Sequence, residues 1–328
     1  MKVINIVPGW ACRHLIMDSP SSDFQFDVRS LPCEIGVTSD PHYLYKGFWN
    51  SLIYLNGLLA SQQHFVAQPT DIFLVTTPKS GTTWLKSIVF AITQRSSYPI
   101  SDPNHPLLTN NPHALVPFLH QLYSSKDLTS EASFNSPRLF AEHVHYSMLP
   151  ESVKASKCRI IYMCRDPKDV FVSMWHFGKH VFHYSLPLEE AFDKFCRGVV
   201  WNGPHWDIAL DYWKMSLANP EQVLFLKFED LKRDITNQLK KMAIHLGCPF
   251  SDEEERCGVI DEIERMCSFQ HLSNLEVNKT GSITGVKNSD FFRKGQVGDW
   301  TNLLTLSMAE RLDRVVEQRL QGSGLTIT

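Results

Sequence analysis

The stretch DIFLVTTPKSGTTWLKS, residues 71–87, decides the fold that we predict for this chain. It begins with a continuous apolar run, Ile72 to Val75, of the kind that forms a strand buried on both faces of a sheet. The run leads through Pro78 to Thr83 directly into a helical pattern. A strand, a glycine turn and a helix N-terminus bring backbone N–H groups, the positive end of the helix dipole, a lysine and two hydroxyls around one point. We therefore predict a cradle for an anion there.

This cradle differs from the phosphate loop of the nucleotide triphosphatases. That loop, GxxxxGK[ST], needs a glycine five residues before its Gly-Lys pair, whereas here Lys79 precedes Gly81. The simpler alternative is an ordinary helix start, capped by Ser80 or Thr82, with Lys79 in solvent. The buried strand before the turn favours the anion site.

A second junction of strand and helix lies in RIIYMCRDPKDVFVSMWHF, residues 159–177. The strand ends at Arg165, and Pro167 opens a helix at its first position. A nucleotide triphosphatase would place a carboxylate at this strand tip to hold Mg²⁺. An arginine there favours a second anionic group instead. We interpret Asp166 as the helix cap, and Ser173, taken alone, as a serine on the helix surface.

A third candidate segment is the loop FFRKGQVGDW, residues 291–300, which places Arg293 and Lys294 beside Gly295. Adjacent cations on a flexible loop can close over a phosphate, although in isolation such a pair is more often solvated surface.

Histidines provide candidates for a general base in RLFAEHVHY, residues 138–146. Strand alternation would put His143 and His145 on one face and Glu142 on the other. A histidine at the end of an apolar strand lies where active sites form in α/β sheets, but histidines are also often structural. The residues alone leave this choice open.

The composition excludes several classes of protein. The chain has 328 residues and a formal net charge of -3, so it carries no basic excess for nucleic acid or an anionic membrane. Its eight cysteines show no CxxC pair and no zinc spacing, which predicts reduced thiols in a cytosolic protein without a metal site. No apolar run approaches the ~20 residues of a membrane span, and Pro8, Gly9 and Arg13 interrupt the N-terminal apolar stretch. We expect a soluble protein.

Strand and helix patterns alternate along most of the chain. Strands are predicted at Ile72–Val75, Leu139–Val144, Ile160–Met163 and Val223–Phe228. Helices are predicted after Gly81, after Pro167, over residues 189–200 and over residues 233–247, where Gly247 ends the helix. This alternation predicts a single α/β domain, residues 41–328, with a central parallel sheet flanked by helices. Residues 1–40 are expected to form an irregular N-terminal segment.

Taken together, these segments resemble the cytosolic sulfotransferase family. The motifs TTPKSGTTWLK and YMCRDPKDVFVSMW carry the resemblance, and YKGFW, HPLLTNNPHALVPFL and FFRKGQVGDW look like the plant flavonol-sulfotransferase branch. The resemblance runs from about Tyr43 to Trp300 and does not cover residues 1–40.

The resemblance implies a sulfuryl donor, 3′-phosphoadenosine-5′-phosphosulfate (PAPS), and the product 3′-phosphoadenosine-5′-phosphate (PAP), with no metal. It implies that the 5′-phosphosulfate is held by Lys79, Ser80, Gly81, Thr82 and Thr83, and that adenine is contacted by Trp84 and Phe269. It places the 3′-phosphate among Arg165, Ser173, Arg293, Lys294 and Gly295. His143 takes the position of the catalytic base, and Lys79 and Ser173 complete the expected catalytic set.

Several positions depart from the family pattern. The family commonly has Thr-His-Leu-Pro-Tyr around its base, whereas this chain has Glu142-His143-Val144-His145-Tyr146. Glu142 is a candidate to orient a neighbour, and His145 competes as a base. Phe228 stands at an adenine-binding position where many relatives carry a tyrosine, a loss of about 1 kcal/mol of hydrogen bonding. The dimerisation pattern of animal relatives is degraded to Thr301, Thr305-Leu306 and Glu310, so we expect a monomer or a weak dimer.

The resulting expectation is in-line transfer of a sulfuryl group to a hydroxyl of a small, largely apolar acceptor, such as a phenolic, flavonoid, steroid or related metabolite. Two alternatives remain. A P-loop kinase would share the layout of strand, cradle and helix but would need Mg²⁺ ligands. A non-catalytic nucleotide-binding relative would follow if Glu142 and His145 have spoiled the base.

Overall fold

A computed structural model of the chain describes residues 28–37, 41–124, 136–183 and 186–327. The strands are β1 (Cys33–Ile35), β2 (Pro41–Tyr45), β3 (Phe48–Ser51), β4 (Ile72–Thr76), β5 (Leu139–Glu142), β6 (Arg159–Cys164), β7 (Val223–Lys227), β8 (Ser282–Ile283) and β9 (Val286–Lys287).

The α-helices are α1 (Leu52–His64), α2 (Thr82–Gln94), α3 (Pro106–Thr109), α4 (Pro112–Leu115), α5 (Leu119–Ser124), α6 (Glu151–Ala155), α7 (Pro167–Val181), α8 (Leu188–Cys196), α9 (His205–Ala218), α10 (Phe228–Arg233), α11 (Ile235–His245), α12 (Asp252–Arg256), α13 (Val259–Met266), α14 (Phe269–Asn274), α15 (Glu276–Lys279) and α16 (Leu306–Leu320). Short 3-10 helices cover Val28–Ser30, Tyr146–Met148, Asn288–Phe291 and Asp299–Asn302.

The central sheet has the strand order β5-β4-β6-β7, and each neighbouring pair is parallel. Ile72 of β4 pairs with Leu139 on one side and with Arg159 on the other, and Ile160 of β6 pairs with Val223. The predicted α/β fold with a central parallel sheet is therefore confirmed. Parallel strands in one register end at the same edge, so the segments that follow β5, β4, β6 and β7 are brought together.

Alternate residues of the buried strands enter two separate apolar cores. Phe73 and Val75 face the core that contains α1, α7, α8, α9 and α16, whereas Leu74 faces the core formed with α2, α11 and α13. This arrangement explains the continuous apolar run in the sequence, because a strand covered by helices on both faces has no solvent side.

A small antiparallel sheet precedes the central one. Its order is β1-β2-β3, with Cys33 opposite Tyr43 and Tyr43 opposite Asn50. Part of the expected irregular segment, residues 33–35, is thus a regular strand, because pairing with β2 satisfies its backbone hydrogen bonds. The rest of that segment, apart from residues 28–32 and 36–37, lies outside the described residues.

The structure corrects the ends of all four predicted strands, and β4 extends by one residue to Thr76. β5 stops at Glu142 rather than Val144, β6 extends by one residue at each end, and β7 stops at Lys227 because Phe228 begins α10. Alternation along a strand therefore does not apply to His143 and His145. Gly247 follows α11 with a φ of 74°, as expected for a helix terminator. None of the helices in the described part of the chain is long and apolar enough to cross a membrane.

Candidate active site

The predicted site residues converge at the carboxyl edge of the central sheet. His143 follows β5, the cradle follows β4, Arg165 follows β6 and Phe228 follows β7. Neighbouring strands end almost level, since Thr76 pairs with Met163 and Cys164 with Lys227. Segments far apart in the chain thereby form one site.

The cradle between β4 and α2 has the backbone of an anion site. Lys79 has a φ of 70° and Gly81 a φ of 96°, both in the left-handed region. A side chain at residue 81 would not fit, because a Cβ there would lie 2.8 Å from Cδ2 of Phe228. The Leu85 N–H donates to the Gly81 carbonyl at 3.0 Å, so the amides of the first helical turn lie before the first helical hydrogen bond. These amides and the helix dipole favour a bound anion.

Two pairs of hydroxyl groups form hydrogen bonds within the cradle and stabilise its turn. Thr77 Oγ1 and Ser80 Oγ lie 2.6 Å apart, and Thr76 Oγ1 and Thr82 Oγ1 lie 2.7 Å apart. Ser80 is fully buried and its hydroxyl points to Thr77. The Ser80 side chain is thus a brace for the turn, and α2 has no side-chain cap.

A cavity of about 340 Å³ opens beside the cradle. Of the residues assigned to the site from the sequence, all except Ser80 line this cavity: Lys79, Gly81, Thr82, Thr83, Trp84, His143, Arg165, Ser173, Phe228, Phe269, Arg293, Lys294 and Gly295. The structure therefore brings together residues that span more than 200 positions of sequence.

Lys79 combines a cation with a low-polarity environment. Its Nζ lies 3.5 Å from the centroid of the Phe177 ring. Burial, together with the positive charges of Arg293 and Arg165, outweighs the opposing effect of Asp290 and lowers the pKa of Lys79 to about 7. The amine is therefore poised to become a full cation when an anion enters the cradle.

His143 is held in one tautomer by the end of β4. Its Nδ1 lies 2.7 Å from the Thr76 carbonyl oxygen, and a carbonyl oxygen can only accept, so Nδ1 carries the proton. Burial lowers the pKa of His143 to about 3, against the raising effect of the bond to Thr76. The ring is therefore neutral near pH 7, with Nε2 as the nitrogen that can take a proton.

Glu142 supports the main chain beside His143. Its carboxylate accepts from the His143 N–H at 3.2 Å, from the Tyr54 hydroxyl at 3.1 Å, and from both N–H groups of His120, the backbone one at 2.6 Å and Nδ1 at 2.9 Å. The single proton of the Tyr54 hydroxyl is shared between this carboxylate and the His143 carbonyl oxygen, which lies at 2.7 Å. Glu142 thus contacts the backbone of its neighbour and not the ring.

His145 has a structural position. Its Nδ1 accepts from the Ser147 N–H at 3.2 Å and caps the 3-10 helix Tyr146–Met148. It does not line the cavity beside the cradle. The sequence-based grouping of His143 and His145 on one strand face is corrected here, because β5 has already ended.

A cluster of cations also lines the cavity. Arg165 and Ser173 are buried, and Arg165 lies over the Phe228 ring with its guanidinium carbon 4.4 Å from the centroid. Arg293 and Lys294 each contact Asp299 at 2.6 Å. The cluster suits a second anionic group, as the arginine at the tip of β6 predicted.

Aromatic rings line the cavity beside the cradle and the cations. Trp84 and Phe228 meet edge to face with centroids 5.3 Å apart. Phe269 packs against the 291–300 loop, so that a Cβ on Gly295 would lie 2.7 Å from its Cδ2. Flat apolar surfaces of this kind suit a heteroaromatic base.

Sequence reasoning missed a polar chain beside the cradle. Lys86 Nζ lies 3.0 Å from His113 Nδ1, and His113 Nε2 lies 2.9 Å from Thr83 Oγ1. Lys86 is fully buried, and burial lowers its pKa well below the ordinary value. A signal was present, since Thr83 and Lys86 are three residues apart and so share one helix face.

Further aromatic side chains, which we call the aromatic wall, also line the cavity: Phe118, Phe177, Trp201 and Phe291. The Phe118 ring lies 4.7 Å from the His143 ring. Among the described residues, no group of three or more His, Cys, Asp or Glu side chains is arranged to hold a metal ion.

Comparisons with known proteins point to one family. The family model for the sulfotransferase domain matches residues 69–324 of this chain. Cytosolic sulfotransferase 12 of Arabidopsis thaliana is 46% identical over 303 residues, which cover 91% of this chain and 92% of that protein. Cytosolic sulfotransferase 15 of the same plant is 44% identical, over 93% of this chain and 87% of its own length.

Solved structures show the same fold. One, of an Arabidopsis thaliana protein assigned as a steroid sulphotransferase, has a TM-score of 0.75 and 41% identity, and covers 92% of this chain and 94% of its own. A mouse sulfotransferase complexed with PAP has a TM-score of 0.67 and 26% identity, covering 86% and 95%. The family match over most of the chain, together with these identities, places the protein in the cytosolic sulfotransferase family.

Proposed function

We propose that this PAPS-dependent sulfotransferase acts on a hydroxyl of a small, largely apolar acceptor of the phenolic, flavonoid, steroid or related type. PAPS is its sulfuryl donor and PAP its product, in line with the family and with the PAP-bound mouse relative. The names of the plant relatives agree with the cytosolic location expected from the cysteines. The acceptor class and the roles of individual residues are what we propose.

The residues present fit PAPS at both ends. Two guanidinium nitrogens at the expected 3′-phosphate position, Nε of Arg165 and Nε of Arg293, are buried and have no hydrogen-bond partner within the described residues. A buried donor without a partner is costly, and a phosphate would satisfy it. At the opposite end, the cradle and the Lys79 amine suit the 5′-phosphosulfate, and Trp84 with Phe269 suits adenine.

In the proposed mechanism, His143 acts on the acceptor and the cradle holds the donor. When bound, PAPS supplies the sulfuryl group that the acceptor oxygen receives. His143 takes the proton of the acceptor hydroxyl at Nε2, because its Nδ1 already carries a proton bonded to Thr76. The Lys79 ammonium and the first-turn amides of α2 stabilise the negative charge that develops on the leaving oxygen in the cradle. Ser173, on the 3′-phosphate side, positions the donor.

The aromatic wall supports an apolar acceptor. Phe118, Phe177, Trp201 and Phe291 line the same cavity as His143, and stacked or edge contacts from such rings favour a planar or polycyclic carbon skeleton. These rings fit a molecule recognised mainly by shape with one hydroxyl directed at His143.

The two alternatives receive less support. A kinase would need a metal-binding carboxylate at the tip of β6, where this chain has Arg165. A non-catalytic relative would need a spoiled base, whereas Glu142 contacts only the main chain of His143 and His145 lies outside the cavity.

The observation that carries the proposal is the position of His143 between the anion cradle and the aromatic wall. The test is a panel of hydroxylated phenolics, flavonoids, steroids and aliphatic alcohols with ³⁵S-labelled PAPS, using the wild-type protein and His143→Ala. We expect labelled product from a planar or polycyclic alcohol in the wild-type protein alone. Turnover confined to charged or sugar-like acceptors would reject the proposed acceptor class.

A further inference from the structure

Two buried aspartates stand behind the cations of the expected 3′-phosphate site. Asp169 lies in the first turn of α7 and is fully buried, and Asp299 begins the 3-10 helix Asp299–Asn302 and is 4% exposed. Neither side chain lines the cavity. Carboxylates this close to a phosphate site oppose the ligand by charge alone, so their presence calls for an explanation.

Asp169 joins three parts of the site. Its Oδ2 accepts from Nη2 of Arg165 at 3.1 Å and from the Gly298 N–H at 2.9 Å, while Oδ1 accepts from the Trp300 N–H at 3.0 Å. Arg165 Nη2 also donates to the Gln296 carbonyl. One side chain therefore fixes both the arginine at the tip of β6 and the backbone of the 291–300 loop.

Asp299 performs a similar task within the loop. Its Oδ2 accepts from Nη1 of Arg293 at 2.6 Å, and Oδ1 accepts from Nζ of Lys294 at 2.6 Å and from Nδ2 of Asn302 at 2.9 Å. Burial would raise the pKa of Asp299, but the hydrogen bonds from Lys294 and Arg293 outweigh it and hold the pKa below its ordinary value. The carboxylate is thus charged at neutral pH.

In each arginine side chain, one guanidinium nitrogen binds an aspartate and another has no hydrogen-bond partner among the described residues. Nη2 of Arg165 and Nη1 of Arg293 bind the aspartates, whereas Nε of each is buried without a partner among the described residues. Three cations against two carboxylates leave a net charge of only +1 in this cluster. Orientation, rather than accumulated charge, must therefore provide much of the affinity for a phosphate.

We propose that Asp169 and Asp299 are positioning residues for the 3′-phosphate, which hold Arg165, Arg293 and Lys294 in the binding conformation before the nucleotide arrives. This inference rests on the proposed nucleotide site. Long cationic side chains lose rotamer freedom when they bind, and a carboxylate that fixes them beforehand removes that cost from the binding step.

The test compares affinities for PAP and for AMP, which lacks the 3′-phosphate, by titration calorimetry. The variants are Asp169→Asn and Asp299→Asn. The matched control is Asp71→Asn: Asp71 is also fully buried and accepts two hydrogen bonds from Arg138, but it lies at the opposite end of β4. We expect each site variant to bind PAP about tenfold more weakly, the scale of one charge-assisted hydrogen bond, with AMP affinity unchanged.

The control should keep the wild-type preference for PAP over AMP even if its melting temperature falls. Equal losses for PAP and AMP would overturn the inference, as would tighter binding of PAP by Asp299→Asn, which would make Asp299 a competitor of the phosphate. If Asp169→Asn does not fold, Asp299→Asn and the rescue variant Asp299→Glu decide the matter. A wild-type protein that does not prefer PAP to AMP would instead refute the proposed nucleotide site.

Discussion

His143 donates a hydrogen bond from Nδ1 to the backbone carbonyl of Thr76, at 2.7 Å. The proposed base, which follows β5, is therefore oriented by the last residue of the neighbouring strand β4, shortly before the proposed anion cradle. His143 and the cradle share one support, the parallel sheet, which would keep the proposed acceptor and donor sides of the reaction in a fixed relation.

Alanine substitutions of His143 and His145 should have different effects on activity. His143→Ala should lower kcat by about 100-fold or more, the ordinary worth of a positioned base. His145→Ala should keep most activity and lose about 1 kcal/mol of stability, because His145 caps a 3-10 helix. Steady-state kinetics and thermal unfolding of both variants provide the test, and the reverse pattern of activity would show that the base is wrongly assigned.

Lys79 should matter more for turnover than for product binding. Lys79→Ala is expected to reduce kcat much more than it weakens PAP affinity, because the contact strengthens as the leaving oxygen gains charge. The control is Lys240→Ala, which removes a surface lysine paired with Glu255. Kinetics with calorimetry of PAP binding give both quantities, and an effect limited to KM would refute this role.

Nucleotide binding should take up a proton on Lys79. Its pKa of about 7 leaves the free amine mainly neutral at pH 8, and an anion in the cradle favours the ammonium form. Affinity for PAP should therefore fall as pH rises through 7 to 9. Calorimetry at pH 8 in two buffers of different ionisation enthalpy measures the uptake.

Lys79→Arg should abolish this uptake, because the guanidinium stays charged at every pH of the experiment. Proton release on binding, or an uptake that persists in Lys79→Arg, would contradict the assignment of the titrating group to Lys79.

The residues near the sheet edge were predictable because local patterns locate strand ends. A continuous apolar run and a glycine turn predicted the strand, turn and helix of the proposed cradle, and the arginine after the β6 run predicted a second anion site, which stays a proposal. Sequence patterns could not place the aromatic wall, since Phe118 and Trp201 reach the cavity through long-range packing. They also misassigned His145, because the exact end of β5 depends on its pairing with β4.

Sequence patterns also could not predict which groups the buried side chains contact. The sequence left open that Glu142 impairs His143 as a base. In the structure, the Glu142 carboxylate instead contacts Tyr54 and His120 and supports the main chain. Sequence patterns gave no signal for Asp169 or Asp299. Their contacts depend on the fold, since two of the donors to Asp169, Gly298 and Trp300, lie more than 100 residues away and those to Asp299 meet in a folded turn.

The most direct test of the account is the nucleotide preference of the protein in the absence of metal. PAP at about 100 times its dissociation constant stabilises the fold by about 2.7 kcal/mol, which thermal unfolding resolves. We predict a strong rise of the melting temperature with PAP without Mg²⁺, little effect of ATP at equal concentration, and loss of most of the preference for PAP over AMP in Arg165→Ala. Stronger stabilisation by Mg-ATP than by PAP would contradict the account and support the kinase alternative.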